Sequence, residues 1–275
     1  MNDKKVLISI ITVNLNNADG LMNTIESVRC QTYKNYEYII IDGNSIDGSR
    51  NIIKRNKDII FYSVSETDSG LFDAMNKGLE KSNGDFVLFL NSGDCFIDNN
   101  VLKDIINTIK KLDTVYFGCA KIINNKDSYY LFPNINSDET DIIKFLKYYR
   151  PNHQAILFPR NFYKTARYDL QYKIAGDEDY KIRAIKTCGY VFVNKVFVSF
   201  MLGGLSFPDS IEKFKRIINE CTKIDKIHDM YSFRNHIRLL LNLFIKYLFK
   251  KLLDEKSYST LIGYKNKRNN KKIFE

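Results

Sequence analysis

Side chains suited to metal and proton chemistry recur in this chain just after short apolar runs. Val6–Val13 is followed by Asn14, Asn16 and Asn17, and Tyr36–Asp42 leads into Asp42-Gly43-Asn44-Ser45. Ile59–Ser63 is followed by Glu66 and Asp68-Ser69-Gly70, and Phe86–Asn91 leads into Asn91-Ser92-Gly93-Asp94. A later acidic cluster reads Gly176-Asp177-Glu178-Asp179. Carboxylates crowded into one cleft repel each other, and a hard divalent cation removes that cost by taking oxygen ligands. Such a cation neutralises charge on a departing group. A second carboxylate, kept off the metal, can take the proton of an attacking hydroxyl. The carboxylate of the Asn91–Asp94 run and the later acidic cluster lie well apart in the sequence and allow such a division of work.

Each element also has a plainer reading. Asp42-Gly43 and Gly93-Asp94 are good turn residues, and Asp47 is a good helix cap. Glu178, between two acids, suits a solvated face. His153 alone suits a satisfied core histidine, and Asn76-Lys77-Gly78 suits a helix surface.

Other chemistries are excluded by missing residues. Gly43-Asn44-Ser45-Ile46-Asp47-Gly48-Ser49-Arg50 has P-loop glycine spacing, but Ser49 stands where the phosphate-binding lysine is required. No Gly-x-Gly-x-x-Gly follows the first apolar run, and no Gly-x-Ser-x-Gly elbow occurs. The five cysteines are scattered and form no Cys-x-x-Cys pair, which is the usage of a reducing compartment.

The elements that must position these groups alternate. Strands are expected at Val6–Val13, Tyr36–Asp42, Ile59–Ser63, Phe86–Asn91 and Thr114–Ile123. Helices are expected at Gly20–Cys30, Asp47–Asn56, Leu71–Ser82 and Asn99–Lys111, with Asp19 and Asp47 capping the first two. Short strands that are apolar throughout predict a Rossmann-like, mainly parallel α/β sheet covered by helices. Ligands then bind beyond the carboxyl ends of the strands. Further on, the sequence predicts a hairpin within Thr114–Phe132, a helix at Asp138–Tyr149 and a strand at His153–Pro159. It then predicts a helix at Asp177–Cys188 ended by Gly189, a strand at Tyr190–Met201 and helices at Ser210–Asp229 and Phe233–Leu253. Beyond Ser257 the chain is polar and basic.

A chain of 275 residues with 44% apolar and 13% aromatic content has enough material for one large domain with an appendage. No run of 18 apolar residues marks a transmembrane span, and the first residues read as a strand and not as a signal peptide. The net charge of +10 is unevenly placed: residues 231–275 carry 11 Lys and Arg against 3 Asp and Glu. The near-neutral body argues against a nucleic-acid partner. In the tail, Arg238, Asn242, Lys246 and Lys250 repeat every four residues among bulky apolar side chains. That pattern predicts an interfacial helix with a polybasic end for an anionic membrane surface. The plainer alternative is a helix packed on the catalytic domain.

Taken together, these motifs resemble glycosyltransferase family 2. The resemblance rests on Ser9-Ile10-Ile11-Thr12-Val13-Asn14 and Ile39-Ile40-Ile41-Asp42-Gly43-Asn44-Ser45-Ile46-Asp47-Gly48. Ser65-Glu66-Thr67-Asp68-Ser69-Gly70-Leu71-Phe72-Asp73-Ala74-Met75-Asn76-Lys77-Gly78 and Gly84-Asp85-Phe86-Val87-Leu88-Phe89-Leu90-Asn91-Ser92-Gly93-Asp94 are similar to its bacterial surface-polysaccharide branch. The resemblance implies a GT-A fold over residues 1–206, with a nucleotide-sugar half at 1–96, an acceptor half at 97–206 and a helical, basic extension at 207–275.

By the same resemblance, Thr12, Val13, Asn14 and Asp42 hold the nucleoside, Asp42 accepting from uracil N3–H. Glu66 and Asp68 lie in the donor-contacting block. Asn91, Ser92, Gly93 and Asp94 replace the metal-binding Asp-x-Asp motif, so Asp94 and Asn91 are the expected ligands of Mn²⁺ or Mg²⁺. Asp177 matches the catalytic base by its spacing to Arg183, although Gly176 stands where Glu usually precedes it; Asp179 is its competitor. His153 and Gly204 contact diphosphate, donor or acceptor. The implied activity is inverting transfer from a UDP-sugar to a polyprenyl-diphosphate-linked glycan in capsule, O-antigen or exopolysaccharide synthesis, at the cytoplasmic face of the membrane. The alternatives are an inactive sugar-nucleotide binder or membrane scaffold, suggested by Asn91, and a nucleotidyltransferase. The latter lacks its Gly-rich basic loop at Asn14-Leu15-Asn16-Asn17.

Overall fold

The computed structural model describes residues 5–125, 128–132, 146, 151–201 and 210–252. Apolar runs form β1 (Ile8–Asn14), β2 (Tyr36–Asp42), β3 (Tyr62–Ser65) and β4 (Phe86–Phe89), which lie side by side in the order β3-β2-β1-β4, all parallel. Between them run α1 (Ala18–Arg29), α2 (Ser49–Arg55) and α3 (Leu71–Lys81).

Alternate side chains of these strands feed two cores. Ile8, Ile10, Tyr38, Ile40, Phe86 and Leu88 pack with Leu21, Ile25 and Val28 of α1. Ile11, Val13, Ile39, Ile41, Val87 and Phe89 pack on the other face with Phe72, Met75 and Leu79 of α3. A slip of one residue would send each side chain to the wrong core. Each fully buried large apolar side chain is worth about 1.5–3 kcal/mol. The register is therefore firmly set, and it aligns Asn14 with Asp42 and Asp42 with Ser65.

The rest of the sheet is mixed. It comprises β5 (Cys95–Phe96), β6 (Val115–Asn125), β7 (Ser128–Phe132), β8 (Ile156–Pro159) and β9 (Tyr190–Met201). The order continues β4-β8-β6-β9-β5; β8 is antiparallel to β4 and β6, β9 is parallel to β6, and β7 forms a hairpin with β6. The helices here are α4 (Val101–Thr108), α5 (Arg160–Tyr163), α6 (Gly176–Cys188), α7 (Ile211–Ile227) and α8 (Phe233–Leu252). Although α7 and α8 follow the sheet in sequence, Ile224 of α7 and Met230 just after it lie in the same core as β1 and α3.

Several boundaries differ from the sequence reading. The third strand is Tyr62–Ser65, shifted toward the acidic loop, and α1 is capped by Asn17, whose side chain accepts from the Gly20 N–H, instead of by Asp19. Asp47 accepts from the Ala18 N–H at 2.8 Å and the Ser49 N–H at 3.1 Å, so one carboxylate serves the first residues of both α1 and α2. His153–Ala155 is a 3₁₀ turn, with the strand starting at Ile156. The helix expected at Asp138–Tyr149, Leu146 excepted, lies outside the described residues, as do Gly203, Gly204 and residues 253–275.

Candidate active site

The site begins where β1, β2 and β3 end. The Asn14 amide donates to Asp42 Oδ1 at 2.7 Å and to the Ser45 hydroxyl at 3.2 Å. Asp42 also accepts from the Ser45 N–H at 3.0 Å, the Ser45 hydroxyl at 2.5 Å and the Ser65 hydroxyl. Burial alone would raise the Asp42 carboxyl, but the hydrogen bonds from Ser45, Ser65 and Asn14 hold it below the usual range. Asp42 is thus a fully buried anion with four donors, while the neighbouring Asn14 Oδ1 is buried without a partner. Thr12 and Val13 lie beneath this network in the core; the Thr12 hydroxyl donates to the Leu90 carbonyl at 2.7 Å.

The next loop closes over these strand ends. A Cβ on Gly43 would fall 2.7 Å from Asp68 Oδ2, so a larger residue would push the Asp68 carboxylate aside. Asp68 Oδ1 accepts from the Gly70 N–H at 2.9 Å. Glu66 pairs with Lys77 of α3 at 2.7 Å. Asn76 clasps the Tyr168 backbone through both its amide groups, at 2.9 and 3.0 Å. A Cβ on Gly78 would come 2.5 Å from Ile11 Cγ2, so this glycine seats α3 on β1. The Asn76-Lys77-Gly78 triplet therefore joins α3 to its surroundings, where the sequence suited a bare surface.

Beyond β4, Asn91-Ser92-Gly93-Asp94 makes a tight turn with Gly93 at φ 100°, a left-handed conformation that favours glycine. Thr24 of α1 holds this turn: its hydroxyl accepts from the Gly93 N–H at 2.9 Å and lies 2.8 Å from the Asp94 carbonyl as donor. Ser92 and Asn17 exchange hydrogen bonds at 2.9 and 3.2 Å. Asn91 Oδ1 and Asp94 Oδ2 are both buried without a partner. Burial pushes the Asp94 carboxyl up to about 7, against a hydrogen bond from the Gln154 side chain. Two orphaned hard oxygens, one of them a carboxylate whose charge lacks compensation, are donors that suit Mg²⁺ or Mn²⁺. Among the described residues no three His, Cys, Asp or Glu side chains gather as a metal cage. Water or a diphosphate would have to complete the coordination.

The second acidic cluster opens α6. Gly176 lies against the Phe72 ring, where a Cβ would come within 2.8–3.0 Å of three ring carbons. A side chain at position 176 would meet that ring, so glycine lets α6 start against Phe72. Asp177 and Asp179 differ sharply. Asp179 is buried, with Oδ1 2.8 Å from His228 Nε2 and Oδ2 accepting from Arg183 Nε at 2.8 Å. Burial opposes its charge, but His228 and Arg183 hold its carboxyl below the usual range. The Asp177 side chain is 28% exposed and touches one cation, the buried Lys181, at 3.3 Å. Lys181 also donates to Glu178 at 2.7 Å and to the Pro151 carbonyl at 3.1 Å.

A chain of contacts connects the two clusters. Gln154 hydrogen-bonds Asp94, its neighbour His153 pairs with the Tyr168 hydroxyl, Tyr168 stacks on Phe72 at 5.5 Å, and Phe72 abuts Gly176. His153 itself is a core residue. Its ring lies 4.8 Å from that of Phe89, and burial beside Lys181 drags it down to about 3, so it stays neutral. A diphosphate contact by His153 finds no support in this packing, and Gln154 is the member of the pair that reaches Asp94. Thr24 and His228 were not singled out from the sequence, since a single polar residue in or beside a helix carries no motif. A surface cavity of about 810 Å³ lies at the other end of the sheet, before β4 and after β8, lined by Asp85, Lys111, Arg160 and Lys164 among others.

Comparison with known proteins identifies the family and the fold. The profile of Glycosyl transferase family 2 matches residues 9–177. An uncharacterized glycosyltransferase of Mycobacterium tuberculosis is 30% identical over 234 residues, 82% of this chain and 86% of that one. The putative teichuronic acid biosynthesis glycosyltransferase TuaG of Bacillus subtilis is 38% identical over 97 residues, 34% of this chain and 38% of that one. The fold matches S. aureus TarS 1–349 in complex with UDP-GlcNAc at a TM-score of 0.61 and 16% identity, covering 88% of this chain and 73% of that one. Against the longer TarS structure this chain spans 43% of the length. The α/β sheet curled among helices is the GT-A fold, and the chain belongs to glycosyl transferase family 2.

Proposed function

We propose that this protein is an inverting glycosyltransferase that moves a sugar from a UDP-sugar to a lipid-linked glycan by single displacement, with Asp177 as base. The observation that carries this reading is the unequal state of the acids. Asp179 has both oxygens committed to Arg183 and His228, whereas Asp177 is partly exposed and is held by Lys181. Asp94 is buried with an orphaned oxygen. One acid is thus suited to proton transfer and another to a cation.

The nucleoside binds at the ends of β1 to β3, bounded by Asn14, Asp42, Glu66 and Asp68. The four acceptor directions of Asp42 are already filled, so a base N–H reaches it by displacing a donor. Ser65, exposed on the edge strand, is the one best placed to yield. Asn91 and Asp94 hold the divalent cation, which when bound neutralises charge on the leaving diphosphate. Gly93 and Ser92 shape that turn. Asp177 removes the acceptor proton as the hydroxyl attacks from the opposite side, so an α-linked donor gives a β-linked product.

The acceptor reading draws on α8. Phe233, Ile237, Leu241, Phe244 and Leu248 are exposed, Phe233 to 72%, and their spacing places them on one face. Leu239, Leu240 and Leu243 instead pack with Ile217 and Ile218 of α7. Arg234 and Arg238 follow the apolar stripe, and no Asp or Glu occurs from 230 to 253. No described helix is long and apolar enough to cross a membrane. The two faces suit a helix that docks on α7 and lays its other side on an anionic leaflet.

The test is transfer from a panel of UDP-sugars with Mn²⁺ or Mg²⁺ to a polyprenyl-diphosphate-linked glycan. Asp94→Ala and Asp177→Ala each abolish product, and wild-type turnover in either overturns the assignment. Phe233→Ser combined with Phe244→Ser is expected to release the protein from phosphatidylglycerol liposomes while leaving transfer to a water-soluble acceptor intact.

A further inference from the structure

The turn that leads into α6 is held from outside its own helix. Ala175 sits at the N-cap and has no side-chain hydrogen bond to offer, so the N–H groups around the helix start need an outside acceptor. That acceptor comes from α7. The Lys173 N–H donates to Glu220 Oε1 at 2.9 Å, and the Ile174 and Ala175 N–H groups donate to Oε2 at 2.9 and 2.8 Å. Three consecutive backbone donors thus converge on one carboxylate at the positive end of α6. Asp177 follows two residues later. A second tie reaches the same helix from just beyond α7, where His228 Nε2 meets Asp179. Its carbonyl accepts from Lys186 at 2.7 Å.

We propose that Glu220 is a positioning residue for the transfer reaction: by clamping the turn at 173–175 it fixes where the Asp177 carboxylate meets the acceptor hydroxyl. This rests on the reading of Asp177 as the base. The helix α7 then belongs to the catalytic apparatus, although the sequence places it in an extension. A base must sit within hydrogen-bond reach of the proton it takes, and misplacement by about 1 Å costs up to about a hundredfold in rate.

Glu220→Gln tests it. The amide keeps one acceptor oxygen but turns an NH₂ toward one side of the three N–H donors, so the turn loosens while side-chain volume is preserved. The full chain is assayed for transfer from the preferred UDP-sugar, beside Asp177→Asn and Ile105→Ala, the last loosening α4 in the opposite core without touching α6, α7 or the turn. The expected result is a fall in kcat of about ten- to a hundredfold in Glu220→Gln, with KM for the donor changed less than about twofold. Ile105→Ala should lower the melting temperature while keeping kcat. Glu220→Asp, which keeps the charge on a shorter arm, should recover part of the loss. Wild-type kcat in Glu220→Gln with Asp177→Asn inactive overturns the clamp alone. An effect confined to donor KM, or an equal kcat loss in Ile105→Ala, overturns it too. Full turnover in Asp177→Asn removes the base assignment itself and the role of Glu220 with it.

Discussion

Thr24→Val isolates the support of the Asn91–Asp94 turn. The substitution keeps shape and removes a hydroxyl that accepts from the Gly93 N–H at 2.9 Å and donates toward the Asp94 carbonyl at 2.8 Å. Thr24 is fully buried, so water cannot take over on the helix side. Leaving a buried polar group unpaired costs about 1–3 kcal/mol, and part of the turn is able to relax outward, so the expected loss is about 1–3 kcal/mol. For a chain of this size that lowers the melting temperature by about 2–4 °C per kcal/mol. Denaturant titration reads the stability term. Transfer measured against Mn²⁺ concentration reads the functional one, because a loosened turn presents Asn91 and Asp94 less well and shifts half-saturation to higher metal. Thr24→Ser keeps the hydroxyl and should behave nearly as wild type in metal requirement. A Thr24→Val protein with unchanged stability and unchanged metal requirement refutes the reasoning, as does a Thr24→Ser protein with the same metal shift as Thr24→Val.

Three further outcomes follow from the geometry. Gly78→Ala drives a methyl to 2.5 Å from the buried Ile11 side chain and should cost about 1–3 kcal/mol by overpacking, read as a lower denaturant midpoint with an unchanged slope. Asp179 faces Arg183, His228 and Tyr172, and its folded-state pKa is held low. Its contribution to stability is present above the unfolded value near 3.9 and disappears as pH falls through the lower folded value. Melting temperatures of Asp179→Asn should therefore be lower than wild type at pH 6 and converge with it toward pH 2; a constant offset would contradict the pairing. EDTA should abolish transfer and added Mn²⁺ or Mg²⁺ restore it, while full turnover in EDTA would leave the orphaned oxygens of Asn91 and Asp94 without this role.

The first half of the fold was legible because β1, β2 and β4 are apolar on both faces, a pattern that parallel strands between helices require. Polar residues after such runs had to gather at one edge. What composition and period could not supply was the register that sets Asn14, Asp42 and Ser65 in line and so saturates Asp42. The mixed pairing around β8 was hidden for a related reason: Ile156–Pro159 is short and apolar in either direction. The choice between Asp177 and Asp179 depends on His228, 49 positions from Asp179. Thr24 meets the Asp94 turn across 70 positions. Contacts of that range leave no periodic trace in one sequence.

The placement of Ile224 and Met230 in the central core sets where this protein can be recombined with its relatives. A chimera joined near residue 206 would exchange Glu220, His228 and two core side chains together with the helix that carries the exposed apolar face. It would alter the proposed support of Asp177 and the proposed membrane contact at once. A junction after Met230 leaves α7 with its own α6 and exchanges only the helix that carries the exposed apolar face. Tail swaps made at that point would test the proposed membrane contact separately from turnover.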